Sequence, residues 1–213
     1  MHGAHREEVL TTTTPQALRA ALAAGDLTDA AFDAIYPDEL RARSELHWTA
    51  IPIAVRAAAL LGAKPGEQIL DVGCGAGKLC LIARLLSPDG VAWWGVDHEA
   101  SLIDVANHAA WELGVRDDVR FVHAEAWDID WSRFDAFYFF NPFPALPETP
   151  GNAFQKYGAF VQECARAEER LATLRSGTRI VTYHGFGGDM PDCFELVGRE
   201  AAGTDELQLW LRR

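Results

Sequence analysis

Three short segments carry residue types whose spacing can do chemistry. In residues 69–77, ILDVGCGAG, an acid, Asp71, precedes glycines at alternate positions, Gly73, Gly75 and Gly77. An apolar run that breaks into glycines and resumes as KLCLIARLL reads as a strand, a tight turn and a helix. Such glycines let a ligand approach main-chain N–H groups with no Cβ in the way. The second segment is VAWWGVD, which ends in Asp97. A carboxylate at a strand end accepts from two hydroxyls at once; its plainer role is a helix N-cap. The third is Asn141-Pro142-Phe143 within FYFFNPFP. Proline fixes such a turn and has no N–H, which leaves a neighbouring carbonyl free to accept. Both residues are ordinary in turns, but this turn ends a buried strand, at the edge where ligands of open α/β sheets sit.

The spacing narrows the ligand. The glycines read GxGxG, with Lys78 where the GxGxxG of a dinucleotide site has its third glycine, and the GxxxxGK[ST] of a phosphate-gripping loop is absent. With Asp71 in front, the segment resembles motif I of the class I S-adenosylmethionine-dependent methyltransferases, D/E-x-G-x-G-x-G. The resemblance covers roughly residues 64–213 and implies that S-adenosylmethionine is the cofactor. It places Asp71, Gly73, Gly75 and Gly77 in the cofactor loop and Asp97 on the ribose hydroxyls. In His123-Ala124-Glu125-Ala126-Trp127, where related enzymes often read G-D-A, it gives Glu125 the adenine amino group and Ala126 a backbone contact to the ring. His98 either packs on the adenine or lies on the surface. Trp48 and Thr49, ahead of the first strand, either close over the methionine end or pack in the core. The corner resembles the [DNS]-P-P-[YFW] motif of amino-group methyltransferases, in which side-chain and backbone oxygens hold the acceptor NH2 and an aromatic ring covers it. Asn141, Pro142 and Phe143 take those parts here, with Phe143 standing where the second proline would be. A resemblance to the non-SET histone-lysine methyltransferases is fainter, since the second Asn of their corner is missing.

The elements that must position these residues follow from the pattern. Residues 1–14 read as disordered. PQALRAALAAG reads as a helix with proline at its start and Gly25 at its end. Thr28 caps a short helix through Ile35, Pro37 opens another through Ser44, and IPIAVRAAALLG closes at Gly62. Residues 1–63 are thus expected to form a helical extension or substrate lid, and residues 64–213 the cofactor-binding domain. From Glu67 strands alternate with helices, which implies a parallel sheet with right-handed crossovers. The whole reads as an α/β, doubly wound, mostly parallel seven-stranded sheet with a terminal antiparallel hairpin, CFELVGRE with ELQLWLRR. Tyr183 and His184 follow the fifth strand; His184 is a proton acceptor or a structural loop residue. Trp93, Trp94 and Trp131 read as core or helix-packing residues.

Composition excludes several classes. Net charge is −12, with 19 basic against 31 acidic residues, which argues against a nucleic-acid acceptor. The cysteines, Cys74, Cys80, Cys164 and Cys193, form neither a zinc-type cluster nor a disulfide framework, so no metal is expected. No apolar run is long enough to span a membrane, and the first residues lack the apolar core of a secretory signal, so a cytoplasmic location is expected. Nothing points to a particular oligomer. The function read here is methyl transfer from S-adenosylmethionine to a nitrogen of a small molecule or protein side chain. The alternatives are a cofactor-binding regulatory protein without catalysis and a nicotinamide-dependent oxidoreductase.

Overall fold

The computed structural model describes residues 14–41, 48–143 and 153–213. Most of the segment read as disordered, and the end of the helix expected from Pro37 to Ser44, lie outside the described residues. Thr14 belongs to structure: its Oγ1 accepts from Ala17 N–H at 3.2 Å and caps α1, Pro15–Ala24, which Gly25 closes at φ 75°. Thr28 caps α2, Asp29–Asp33, in the same way at 3.2 Å. This helix stops short of Ile35, and Tyr36 beyond it is buried against Phe32, ring centroids 6.2 Å apart. Helix α3, Ile51–Leu61, ends at Gly62 in the left-handed region.

The sheet then follows the expected alternation: β1 Gln68–Val72, α4 Lys78–Leu86, β2 Ala92–Asp97, α5 Ala100–Glu112, β3 Val119–His123, β4 Ala136–Phe140, α6 Ala153–Ala172 and β5 Arg179–Tyr183. β6 Phe194–Ala202 and β7 Asp205–Arg212 form the terminal hairpin. The strand order is β3-β2-β1-β4-β5-β7-β6, with β1 to β5 parallel. β7 runs antiparallel between β5 and β6, and the hairpin carries an irregularity between Leu196 and Gly198.

Burial explains why the central strands carry no polar face. Along β4, Ala136 and Tyr138 belong to the core under the N-terminal helices, while Phe137 and Phe139 enter a second core with Trp131, Phe134 and Phe186 on the opposite face. A strand covered on both sides is apolar throughout, and each fully buried aromatic contributes about 1.5–3 kcal/mol. Trp93 and Trp131 are core as expected, whereas Trp94 is half-buried with Arg120 and Arg133 over its ring. Parallel register brings Val72, Asp97, His123, Phe140 and Tyr183 out at one edge of the sheet.

Candidate functional site

The glycine loop joins β1 to α4 and is held by the end of β2. Gly73 and Cys74 N–H both donate to the Val96 carbonyl, at 2.9 and 3.0 Å, and Gly77 N–H donates to the Cys74 carbonyl at 2.9 Å. Gly75 N–H donates to Asp97 Oδ2 at 2.9 Å. These four donors are satisfied inside the protein. The three glycines have different neighbours. A Cβ on Gly75 (φ 54°) would meet nothing within 4 Å, so this position opens into free space. On Gly73 it would lie 3.0 Å from Pro142 Cα, because the Asn-Pro corner packs directly on the loop. On Gly77 (φ 77°) it would fall 2.4 Å from the Phe121 ring. Gly77 caps α4 and lets that helix pack on β3; it lines neither cavity described below.

Beside the loop lie two cavities. The larger, about 280 Å³, is lined by Val72, Gly73, Asp97, His98, Glu125, Ala126 and Trp127 among others. Asp97 is nearly buried, and its Oδ1 accepts from Glu99 N–H at 2.9 Å, so one carboxylate shapes both the glycine loop and the turn after β2. Asp97 is not the N-cap of α5, which is Glu99; its two backbone donors leave further acceptor capacity on each oxygen. His98 is exposed, its Nδ1 3.7 Å from Asp97 Oδ1. Glu125 is exposed at the mouth and Ala126 half-buried.

The smaller cavity, about 40 Å³, is lined by Trp48, Thr49, Asp71, Gly73, Gly75, Lys78, Tyr138 and Phe140 among others. Thr49 is buried, with its hydroxyl 3.2 Å from that of Tyr138. Burial pushes the Asp71 carboxyl up to about 8; a hydrogen bond from the Cys80 thiol opposes this and the Asp97 charge adds to it. That thiol lies at 3.8 Å, a weak partner for a buried carboxylate. The same burial raises the Tyr138 hydroxyl, partly offset by Thr49.

The corner sits between these cavities. Asn141 is exposed, has φ 42° and donates its N–H to the Gly185 carbonyl at 3.2 Å. It lines neither cavity itself, whereas Pro142 and Phe143 line the larger one. Phe143 departs from its expected place as a cover for the acceptor. Its ring is buried and stacks on Trp127, centroids 5.3 Å apart, because Trp127 and Trp131 build an aromatic column there. Phe140 lines the smaller cavity together with Trp48 and Tyr138, and His184, also at positive φ (57°), stacks on it at 5.6 Å.

Sequence reasoning missed Tyr138, Phe140 and the partners of Lys78. The Lys78 ammonium is buried and pairs with Asp29 at 2.6 Å and Asp33 at 2.7 Å, tying α2 to the start of α4. The legible signal was the acid pair four residues apart on one face of a capped helix.

Comparison with known proteins accords with this geometry. A family described as a methyltransferase domain matches residues 63–182. The chain is similar to the probable cobalt-precorrin-6B C(15)-methyltransferase (decarboxylating) of Saccharolobus solfataricus, 32% identical over 91 residues, 42% of this chain and 46% of that one. It is similar to the 2-phytyl-1,4-naphtoquinone methyltransferase of Trichormus variabilis, 36% identical over 78 residues, 35% of this chain and 34% of that one. The chain thus spans less than half the length of these curated relatives. Among solved structures, an RNA methyltransferase from Salinibacter ruber in complex with S-adenosyl-L-homocysteine shares the fold, with 21% identity, TM-score 0.56, and coverage of 77% of this chain and 92% of that one. The residues present fit such a cofactor: acids at the larger cavity suit ribose and adenine, and a buried carboxylate without a strong partner suits the ammonium of a methionyl group. Since the family matches more than half of the chain, the protein belongs to the methyltransferase-domain family.

Proposed function

We propose that this enzyme methylates a nitrogen atom of a small molecule or a protein side chain, with residues 64–213 holding S-adenosylmethionine and residues 1–63 forming a lid over the substrate. Asp97 takes the ribose hydroxyls, Glu125 and Ala126 the adenine, and the ring of His98 lies against it. Gly73 and Gly75 let the cofactor approach the loop, Gly77 sets the helix behind it, and Asp71 faces the methionyl ammonium, with Trp48 and Thr49 above. The bound cofactor supplies an electrophilic methyl group on a positively charged sulfur. Everything else is alignment, since an in-line displacement needs the acceptor held at the right distance and angle.

One observation carries the nitrogen reading: the Asn141-Pro142 corner rests on the glycine loop at Gly73, in a backbone conformation that favours only a few residue types. In that place the Asn141 side-chain oxygen and a neighbouring main-chain carbonyl, left free by Pro142, accept from an acceptor NH2. They orient its lone pair and stabilise the charge that develops on nitrogen. Phe140, rather than Phe143, is the ring placed to cover the acceptor. The excess of acids, 31 against 19 bases, supports a cationic small molecule or protein side chain over a nucleic acid.

The test begins with small amines, basic peptides and a short RNA screened for release of S-adenosylhomocysteine. With the acceptor so found, Asn141→Ala should bind cofactor as the wild type does but lose roughly 10²-fold in kcat, because the interaction strengthens in the transition state. Asn141→Asp should keep part of the activity. Wild-type turnover by Asn141→Ala reduces the corner to a turn.

A further inference from the structure

β5 ends in Tyr183, and the chain then enters the left-handed region at His184, φ 57°. A histidine in that conformation is uncommon and persists where its surroundings fix it. The surroundings here come from three elements. The turn between β6 and β7 delivers Asp205, whose Oδ2 lies 2.7 Å from His184 Nδ1. The same turn brings the Thr204 hydroxyl to 3.4 Å from the Tyr183 hydroxyl and 3.5 Å from His184 Nε2. From β4, Phe140 stacks on the imidazole, and the Gly185 carbonyl accepts from Asn141 N–H, fastening the two strand ends together. The charged and titratable groups facing the ring are thus Asp205 from the hairpin and Tyr183 from its own strand; β4 presents only an aromatic face and the neutral Asn141.

We infer that His184 is the general base for the acceptor and that Asp205 is its positioning residue, so the enzyme takes a protic acceptor that must give up a proton. The choice of nitrogen on that acceptor rests on the function proposed above; the base does not. A carboxylate at Nδ1 accepts a hydrogen bond from that nitrogen, which holds the neutral ring in the tautomer with a bare Nε2. Among the described residues, the hydrogen-bond neighbour of Nε2 is the Thr204 hydroxyl at 3.5 Å. His184 lines neither cavity itself; its ring stacks on Phe140, which lines the smaller one, and the next residue, Gly185, accepts from Asn141 N–H. A primary ammonium, the prevailing form of an alkyl amine at neutral pH, cannot attack until it is deprotonated. One N–H proton passes to Nε2, and the resulting imidazolium is balanced by Asp205. The freed lone pair forms the N–C bond while the C–S bond breaks, and the sulfur keeps that electron pair and leaves as a neutral thioether.

Two measurements test this. In the isotope-labelled full chain saturated with S-adenosylhomocysteine, nitrogen–proton correlations of neutral His184 should show the ring proton on Nδ1, and Asp205→Asn should lose that preference. A ring proton on Nε2 in the wild type overturns the inference, and this arm needs no acceptor. The second arm follows kcat/KM against pH with propylamine, an N-acetylated lysine amide, and catechol as probes. For the probe turned over, His184→Gln should fall by roughly 10²-fold or more and lose the rise with pH that a general base gives. Only the rise that tracks the acceptor itself should remain. Asp205→Asn should show a smaller fall with that rise displaced, and Asp205→Glu should restore part of it, as a purely structural residue would not. An unaltered profile in His184→Gln beside a failing Asn141→Ala removes the base and keeps nitrogen methylation. Loss of the rise with catechol as the only probe turned over keeps the base and removes nitrogen.

Discussion

The two cavities beside the glycine loop, which the proposed function gives to the two ends of the cofactor, are built differently. The adenosine end is an open cleft of about 280 Å³ made by loops that directly follow β1 to β4, helped by Glu163 of α6, which accepts from the Trp127 indole N–H. The smaller cavity, the proposed methionine end, is about 40 Å³ and joins residues far apart in the chain: Trp48 and Thr49 before the sheet, the glycine loop, and Tyr138 and Phe140 of β4. Its outer wall is tied down by Lys78 through Asp29 and Asp33, and by Trp48 packed edge-on against Tyr36, 4.7 Å between centroids. The generic end comes from local strand-to-helix turns. The end nearest the acceptor depends on one buried ion cluster and a helical extension. 5′-Methylthioadenosine, which lacks the amino-acid part of the cofactor, and S-adenosylhomocysteine, which has it, separate the two ends experimentally.

Cutting the tie should have the largest effect. Lys78→Ala leaves Asp33 buried and unpaired, and should cost about 3–5 kcal/mol of stability. Read by denaturation and calorimetry, it should weaken S-adenosylhomocysteine binding while methylthioadenosine binding survives; equal loss of both would show that the ends are not separable. Gly77→Val combines left-handed strain with overlap on Phe121 and should cost about 2–4 kcal/mol in melting experiments. Gly75→Ala, with open space at its Cβ, should stay folded and lose affinity for both ligands. Asp97→Ala should weaken both ligands alike by about 1.5–3 kcal/mol, and a selective loss of one would break the division proposed here.

The subtlest prediction concerns protons. A carboxyl raised to about 8 in the folded chain, against about 3.9 when unfolded, keeps a proton that the unfolded chain has shed. Folding stability therefore falls as pH rises between those values. Asp71→Asn removes that slope and should gain on the wild type from pH 5 to pH 8. A ligand ammonium favours the ionised form, so S-adenosylhomocysteine should release a proton on binding and bind more tightly as pH approaches 8. Methylthioadenosine should do neither. Calorimetry in two buffers of different ionisation enthalpy reads the proton directly.

Much of the scaffold was legible because its signals are local. The glycine loop, the acid ending β2 and the helix stops at Gly25 and Gly62 are decided within a few residues. The apolar strands state their own burial. What was not legible depends on distant partners. Phe143 stacks in an aromatic column because Trp127 and Trp131 happen to face it, and Phe140 takes the cavity instead. Gly77 looks like its two neighbours in sequence, yet only the position of Phe121 makes it a packing residue. Asp205 reads as a turn acid until the register of β7 against β5 sets it beside His184. The sequence showed a hairpin but not that its later strand is the inner one.

That inner position has a consequence for biosynthesis. β5 has an unpaired edge until residues 205–212 arrive to form β7. Tyr183 and Thr204 lie 21 residues apart, a few seconds of ribosomal synthesis at ~5–20 residues per second. During that interval the glycine loop and the first five strands exist, while the His184–Asp205 pair does not and β5 presents an apolar strand with open N–H and C=O groups. A chain broken off before residue 205 would thus carry the cofactor loop and His184 without the Asp205 that positions it, and an edge prone to aggregation. The strand inserted last both protects the sheet and completes the chemistry, which links activity to the finished chain.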